Sequence, residues 1–345
     1  SSSASIHAEG GCSGPPLVPI LLMSDEWVSE RLPVRGESRA GRRAGTGEVD
    51  MLDQQALIGA TKELEPLPPT VHQLAAIASR RDWSAMEAEE VISMDPALAG
   101  KLLGLANSVA SASRVEIVSI RDAVVRMGIG AALAMVTATA VSARTRLALP
   151  QYRLAEGELW RHSVSTSIAA QALPSFCSVP IPPESFTAAL MHDLGKLVIS
   201  RFVGGSLLKR LDRVRDDGAH TPIEAELEVL GVHHAELGGL IAEGWRLPAG
   251  IVKGIMYHHT PDEGGALVCD AVHVANVIAK QVGRDQTRED ADHADGDIGP
   301  DEADGELELE LCPGSLERLG MTSHTLERCS HTVADRLEQV LSAYN

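Results

Sequence analysis

The chain has 345 residues, a net charge of −18, 44% hydrophobic and 23% charged residues, and only 3% aromatics. That balance suits one large globular domain or two smaller ones, and plentiful Ala, Leu and Val with few aromatics favour helices over a β-sandwich. A chain this acidic is excluded as a general binder of nucleic acid or of anionic membranes.

The charge is uneven. From Arg284 to Glu310 there are 12 acidic and 2 basic residues, so −10 of the total lies in one segment. The five cysteines, Cys12, Cys177, Cys269, Cys312 and Cys329, form no CxxC pair, which argues against a disulfide framework or a cysteine zinc site and fits a reducing cytoplasm. No apolar run approaches the roughly 18 residues that cross a bilayer, and Leu17 to Met23 is a poor signal peptide.

Residues 1–60 lack any sustained period and read as an unstructured N-terminal segment, too short for a receiver domain, with a short helix starting near Met51. Order begins at Leu64. Thr70 is expected to cap a helix with Val71, Leu74, Ile77 and Ala78 on one face. Ser84 and Glu87 form a capping box for a helix to Ile92. Asp95-Pro96 starts another, to about Asn107. Ser119 caps a helix ending at Gly128, and Gly130 to Arg144 reads as a buried helix. Gly128-Ile129-Gly130 is a helix junction, not a phosphate loop, because no strand precedes it. Residues 61–150 thus form an N-terminal helical subdomain without a titratable cluster.

A second helical subdomain, 151–282, follows. Expected helices run Glu158–Leu173, Glu184–Met191, Leu197–Val214, Pro222–Leu230 capped by Thr221, His234–Trp245, Pro248 or Ala249 to His259, and Leu267–Val282. No alternating β pattern appears, so the fold class is all-α. Residues 283–312 read as an acidic disordered insert. Residues 313–345 read as a C-terminal helical segment, with one helical period from Leu316 to Tyr344.

The chemistry concentrates in the second subdomain. Leu190-Met191-His192-Asp193-Leu194-Gly195-Lys196 sets an imidazole beside a carboxylate in an apolar run. Burying that pair is costly unless something compensates it. Gly195 would allow a tight turn, and Lys196 would offer a positive charge to an anion. Eight of the thirteen histidines fall between 162 and 273. His162, His192, His234, His258 and His259 sit at helix ends or on apolar faces, and a metal centre is the economical reason for their convergence. His233 is expected to be exposed, and His220, His293, His324 and His331 to be surface or tail residues.

The region from Leu64 to Lys280 resembles the HDOD domain, the HD-related output domain of bacterial signalling proteins. The match rests on Leu67-Pro68-Pro69-Thr70-Val71, Ile92 to Leu98, Lys101-Leu102-Leu103, Leu105 to Ser108, Ser119 to Ala123 and Met127-Gly128. It continues through Leu159 to Ser163, Leu190 to Lys196, His234 to Gly238, Trp245 to Pro248 and His258-His259. The resemblance implies an HD-superfamily helical bundle with His162, His192, Asp193, His234, His258 and His259 as metal ligands. Asp193 would bridge two ions, and Lys196 would offset phosphate charge. The wider family's late Asp falls at Asn276, a weaker, uncharged ligand, for which His273 could substitute. No Gly-Tyr-Pro motif follows His259.

Three readings follow. The first is a cytoplasmic signal-transduction output or scaffold module with a partly retained metal site, binding a signalling protein or a cyclic dinucleotide. The second is a metal-dependent phosphohydrolase acting on a cyclic dinucleotide or nucleotide. Both expect Fe, Mn or Zn, one ion or two. In the third, the histidines only bond to backbone and hold no metal.

Overall fold

A computed structural model describes residues 54–109, 117–292 and 311–343. Met51, the Leu17–Met23 run, His293 and most of the acidic insert lie outside them. Among the described residues there is no strand, only an isolated bridge between Leu149 and Leu154. No single helix among them is long and apolar enough to cross a membrane.

Helix α1, Gln54–Thr61, is the short helix expected near the end of the N-terminal segment, and it runs one residue past that segment's boundary at 60. Leu57 is fully buried, and Gln54 donates to the Gly231 carbonyl at 2.7 Å, a long-range tie that no local period reveals. Helix α2 spans Pro69–Ala78. Thr70 does not cap it. Proline occupies the first turn, and the preceding Pro68 makes no side-chain cap bond. Helix α3, Ala85–Ser93, carries the Ser84–Glu87 capping box. Helix α4, Pro96–Val109, starts where Asp95 accepts the Ala97 and Leu98 N–H groups at 3.0 and 3.1 Å. Helix α5, Ile120–Met127, is capped by Ser119. The chain then turns through 110° into α6, Ile129–Thr145. Gly128 makes that corner at φ 82°, where a side chain would be strained. Helix α6 is buried on nearly every face.

Helix α7, Glu158–Ala172, is the central post. It packs against α8, Glu184–Met191, and against α15, Leu267–Asp292. Small buried residues, Ser163 to Ala170 among them, let these neighbours approach. Helix α15 continues past Val282, so the first ten residues of the supposed insert are helical.

One helix expected over Leu197–Val214 is two, α9 Gly195–Phe202 and α10 Gly205–Arg215. Val203 and Gly204 are extended between them, and Gln151 takes the freed Val203 carbonyl at 3.0 Å. Helix α11, Pro222–Leu230, has Thr221 and Glu224 as a capping box. Helices α12, His234–Gly244, and α13, Ala249–Met256, pack against each other. Helix α13 stops before His258-His259, which stand in the turn leading to α14, Pro261–Gly264. The C-terminal helix is also divided, at Gly320, into α16 Pro313–Leu319 and α17 Ser323–Ala343. Helix α17 covers α4, α7 and α15.

Candidate metal centre

Apart from His162 and Asn276, each candidate ligand stands at or beside a helix end that the sequence itself fixes. Helix α7 carries His162 in its second turn. Helix α8 ends at Met191, so His192 and Asp193 fall in the turn into α9. His234 is the first residue of α12. His258 and His259 follow α13.

Gly195 explains how these ends meet. It does not serve a tight turn, since it is the first residue of α9 and is not among the glycines with positive φ. A Cβ there would lie 1.9 Å from the His234 carbonyl oxygen and 2.8 Å from the Gly238 nitrogen. The start of α9 therefore touches the backbone of α12, which brings Asp193 to His234.

The donor atoms form two triads, each with its ligand atoms within 4.8 Å of one another: His162, His192, Asp193 and His234, His258, His259. In the first, His162 Nε2 lies 3.2 Å from His192 Nε2, and Asp193 Oδ2 lies 3.7 and 3.4 Å from the two. In the second, His259 Nε2 lies 3.2 Å from His234 Nε2. Asp193 Oδ1 lies 3.2 Å from His234 Nε2, so one carboxylate reaches both triads. The His192 and His258 rings, 4.8 Å apart at their centroids, complete the junction.

The opposite ring nitrogens are engaged. His192 Nδ1 donates to the Ala189 carbonyl and His258 Nδ1 to the Ile255 carbonyl, each at 2.7 Å. A proton held on Nδ1 leaves a lone pair on Nε2, the tautomer a metal requires. His234 Nδ1 donates to Glu226 Oε2 at 2.9 Å. Glu226 in turn accepts from the Tyr152 hydroxyl at 2.9 Å, and Arg215 lies 3.8 Å from it. This carboxylate–histidine arrangement fixes ring orientation and raises ligand basicity.

Burial and charge agree. His192 and His258 have no exposure, and Asp193 has 2%. Burial, then His192, push His162 down to about 3. Burial and neighbouring imidazoles hold His258 and His259 well below the usual histidine range. Burial also opposes charge on His234, but the Glu226 carboxylate and the Asp193 contact outweigh it and raise its pKa. Burial disfavours the Asp193 carboxylate, yet His192 and Lys196 keep it ionised. Lys196 Nζ bonds Asp193 Oδ2 at 2.7 Å, so the charge expected to face an anion first neutralises Asp193.

Among the nine buried side-chain atoms of the described residues that have no hydrogen-bond partner are His258 Nε2 and Asn276 Oδ1. A buried acceptor without a partner costs about 1–3 kcal/mol, and a cation would relieve it. Asn276 lies one turn before Lys280 on α15, and the Lys280 charge is felt by both His162 and His259. His273 is not a substitute ligand. Its Nδ1 donates to the His258 carbonyl at 2.7 Å, and its Nε2 accepts from the Cys312 N–H at 2.9 Å. Nor is His233 exposed. It is 3% accessible and caps α12, its Nδ1 accepting from the Glu236 N–H at 3.4 Å.

Sequence reasoning missed Glu226, Tyr152 and Arg215. The available signal was modest: Glu226 stands four residues before Leu230, on the buried side of a helix rich in other glutamates.

Comparison with known proteins places the chain. An uncharacterised protein of Treponema pallidum (strain Nichols) is 24% identical over 288 residues, covering 79% of this chain and 55% of its own. The chain thus spans about half the length of that curated relative. An HDOD domain protein of unknown function from Geobacter sulfurreducens superposes with a TM-score of 0.59 at 21% identity, over 85% of this chain and 98% of its own. A protein provisionally assigned as a phosphohydrolase, from Shewanella amazonensis SB2B, gives 0.56 at 24% identity, over 84% and 97%. Likeness at this identity establishes the fold alone. The HDOD domain itself matches residues 64–261, which include both triads and stop short of Asn276. With more than half of its length matched in this way, the chain belongs to the HDOD domain family.

Proposed function

We propose that this chain is a signal-transduction output module built around a divalent metal centre, and that it acts by binding a signalling protein or a nucleotide. His162, His192 and Asp193 would hold one cation, and His234, His258 and His259 a second, with Asp193 shared. The observation that carries this reading is the Asp193 carboxylate, which faces His192 Nε2 at 3.4 Å through one oxygen and His234 Nε2 at 3.2 Å through the other. Nitrogen and carboxylate donors suit Fe, Mn or Zn.

A bound cation would supply Lewis acidity and acidify a water. The residues around it do the rest. Glu226 orients His234, the Ala189 and Ile255 carbonyls set the tautomers of His192 and His258, and Lys196 balances Asp193. Asn276 favours the module over a hydrolase: its amide carries no charge where a carboxylate would strengthen a second site.

The hydrolase reading is supported by a different observation. His162 and Lys196 side chains are 23% and 19% exposed, so the first triad has an accessible edge where a phosphate could meet Lys196.

Metal analysis of protein purified without a His tag tests the centre. Near-stoichiometric Fe, Mn or Zn is expected, lost in Asp193→Ala; metal-free protein would return the histidines to a structural role. Cyclic dinucleotide turnover that vanishes in His192→Ala would replace the module reading with the enzymatic one.

A further inference from the structure

A cavity of about 330 Å³ with no histidine in its lining is bounded by α4, α5, α6, α7, α8 and α17. On α7 its lining residues Ser167 and Gln171 stand on the face opposite His162, since five and nine residues separate them from it at 3.6 per turn. Apolar side chains, among them Leu105, Met127 and Phe186, make much of its wall.

Two arginines also line it, Arg126 at the end of α5 and Arg336 on α17, and none of the described lining residues is acidic. In a chain with 48 Asp and Glu against 30 Lys and Arg, that is the reverse of the average. Other arginines have carboxylate partners: Arg318 meets Asp270 and Asp262, and Arg153 meets Asp216. Arg336 is half-buried, and burial lowers its pKa with only the Cys329 thiol opposing. A cation held partly out of water with no carboxylate partner among the described residues is costly, and a bound anion would remove that cost.

We propose that this cavity binds a nucleoside monophosphate, with Arg126 and Arg336 on the phosphate and Phe186 and Met127 against the base. Guanidinium forks match phosphate oxygens. The Phe186 ring is a stacking surface. The volume sits at the lower end of the range for small-molecule sites, which suits one base and one phosphate. Three parts of the chain meet there: α5 with Arg126, α17 with Arg336, and α7 with α8, the two helices that deliver His162 and the His192-Asp193 turn. A ligand would therefore join the C-terminal helix to the first triad's supports.

Calorimetry on the full chain, metal-loaded and chelator-treated, with AMP, GMP, guanosine and inorganic phosphate tests this. At least one monophosphate should bind in both metal states. Arg336→Ala and Arg126→Ala should each weaken it by about tenfold or more, the loss expected for a charged hydrogen bond. Guanosine and phosphate alone should bind far more weakly. Arg126 is exposed, so its variant decides the matter if Arg336→Ala does not fold. The proposal is overturned if neither nucleotide binds, if both variants bind as the parent does, or if inorganic phosphate binds as tightly as the nucleotide. Binding that vanishes in Asp193→Ala or on chelation while surviving both arginine changes would place the nucleotide at the metal centre instead.

Discussion

Glu226 accepts two hydrogen bonds from His234, one from its backbone N–H at 2.7 Å and one from its Nδ1–H at 2.9 Å. A single carboxylate thus caps the start of α12 and orients a ring of the second triad. Glu226→Gln keeps the shape but removes the charge that favours a proton on Nδ1. Metal affinity, measured by competition with a chelator, should fall about 10- to 100-fold, the usual effect of losing such a partner. Unchanged affinity would mean that His234 is held by backbone alone.

Gly195 offers a test of the architecture independent of metal. With its hypothetical Cβ 1.9 Å from the His234 carbonyl, Gly195→Ala must push α9 from α12. Overpacking of this kind costs about 1–3 kcal/mol and sometimes more, and here it would also separate Asp193 from His234. Gly204→Ala is the control, since a Cβ there meets nothing within 4 Å. Denaturant unfolding should show Gly195→Ala strongly destabilised and Gly204→Ala near the parent. Equal stabilities would show that the two helices can part freely.

Much of this was legible in the sequence, because some signals are local. Ser84, Asp95, Ser119 and Thr221 are bonded as caps where their spacing puts them. The six ligand candidates were legible as residue types at helix ends or on apolar faces. What was hidden depends on a neighbour far along the chain. The packing partners of helix α1 are α9 and α12, the break at Val203 is taken up by Gln151, and the role of Gly195 is set by the His234 backbone. His233 and His234 are adjacent in sequence, yet one caps a helix and the other faces Asp193. Only the entry angle of α12 separates those roles.

The buried histidines predict a direction for the metal-stripped protein. Unfolded imidazoles titrate near 6.5. In the fold, burial pushes His162 to about 3 and His233 to about 4. Between those values and 6.5 the unfolded chain binds protons that the folded chain refuses, so stability falls with falling pH. At pH 5 the loss is roughly 2 kcal/mol for each of the two. His234, raised by Glu226 against burial, acts in the opposite sense. Its contribution is complete below 6.5 and is lost as pH rises through its folded pKa, which offsets part of the loss. Chelator-treated protein should therefore unfold at lower denaturant at pH 5 than at pH 7.5. A higher midpoint at pH 5 would show that the triads are open to solvent.

Asp270, 1% exposed on α15, is held by the C-terminal segment. Arg318 Nε and Nη2 donate to it at 3.0 and 2.6 Å, and the Ser315 hydroxyl does so at 2.7 Å. The same arginine reaches Asp262 at 2.6 Å. Just before this clamp, the Cys312 N–H bonds His273, whose other nitrogen bonds the His258 carbonyl. Docking of α16 is thereby linked to the backbone of a second-triad residue. Arg318→Ala leaves a buried carboxylate with one hydroxyl donor. Breaking a fully buried pair costs about 3–5 kcal/mol, but the Arg318 side chain is 40% exposed, so about 2 kcal/mol is expected here. Because His273 and His258 lie downstream of the same clamp, metal should also dissociate faster from Arg318→Ala than from the parent. Denaturant unfolding and the rate of metal transfer to a chelator measure the two effects. A stability loss with unaltered metal release would confine the clamp to the C-terminal helices and leave the second triad independent of it.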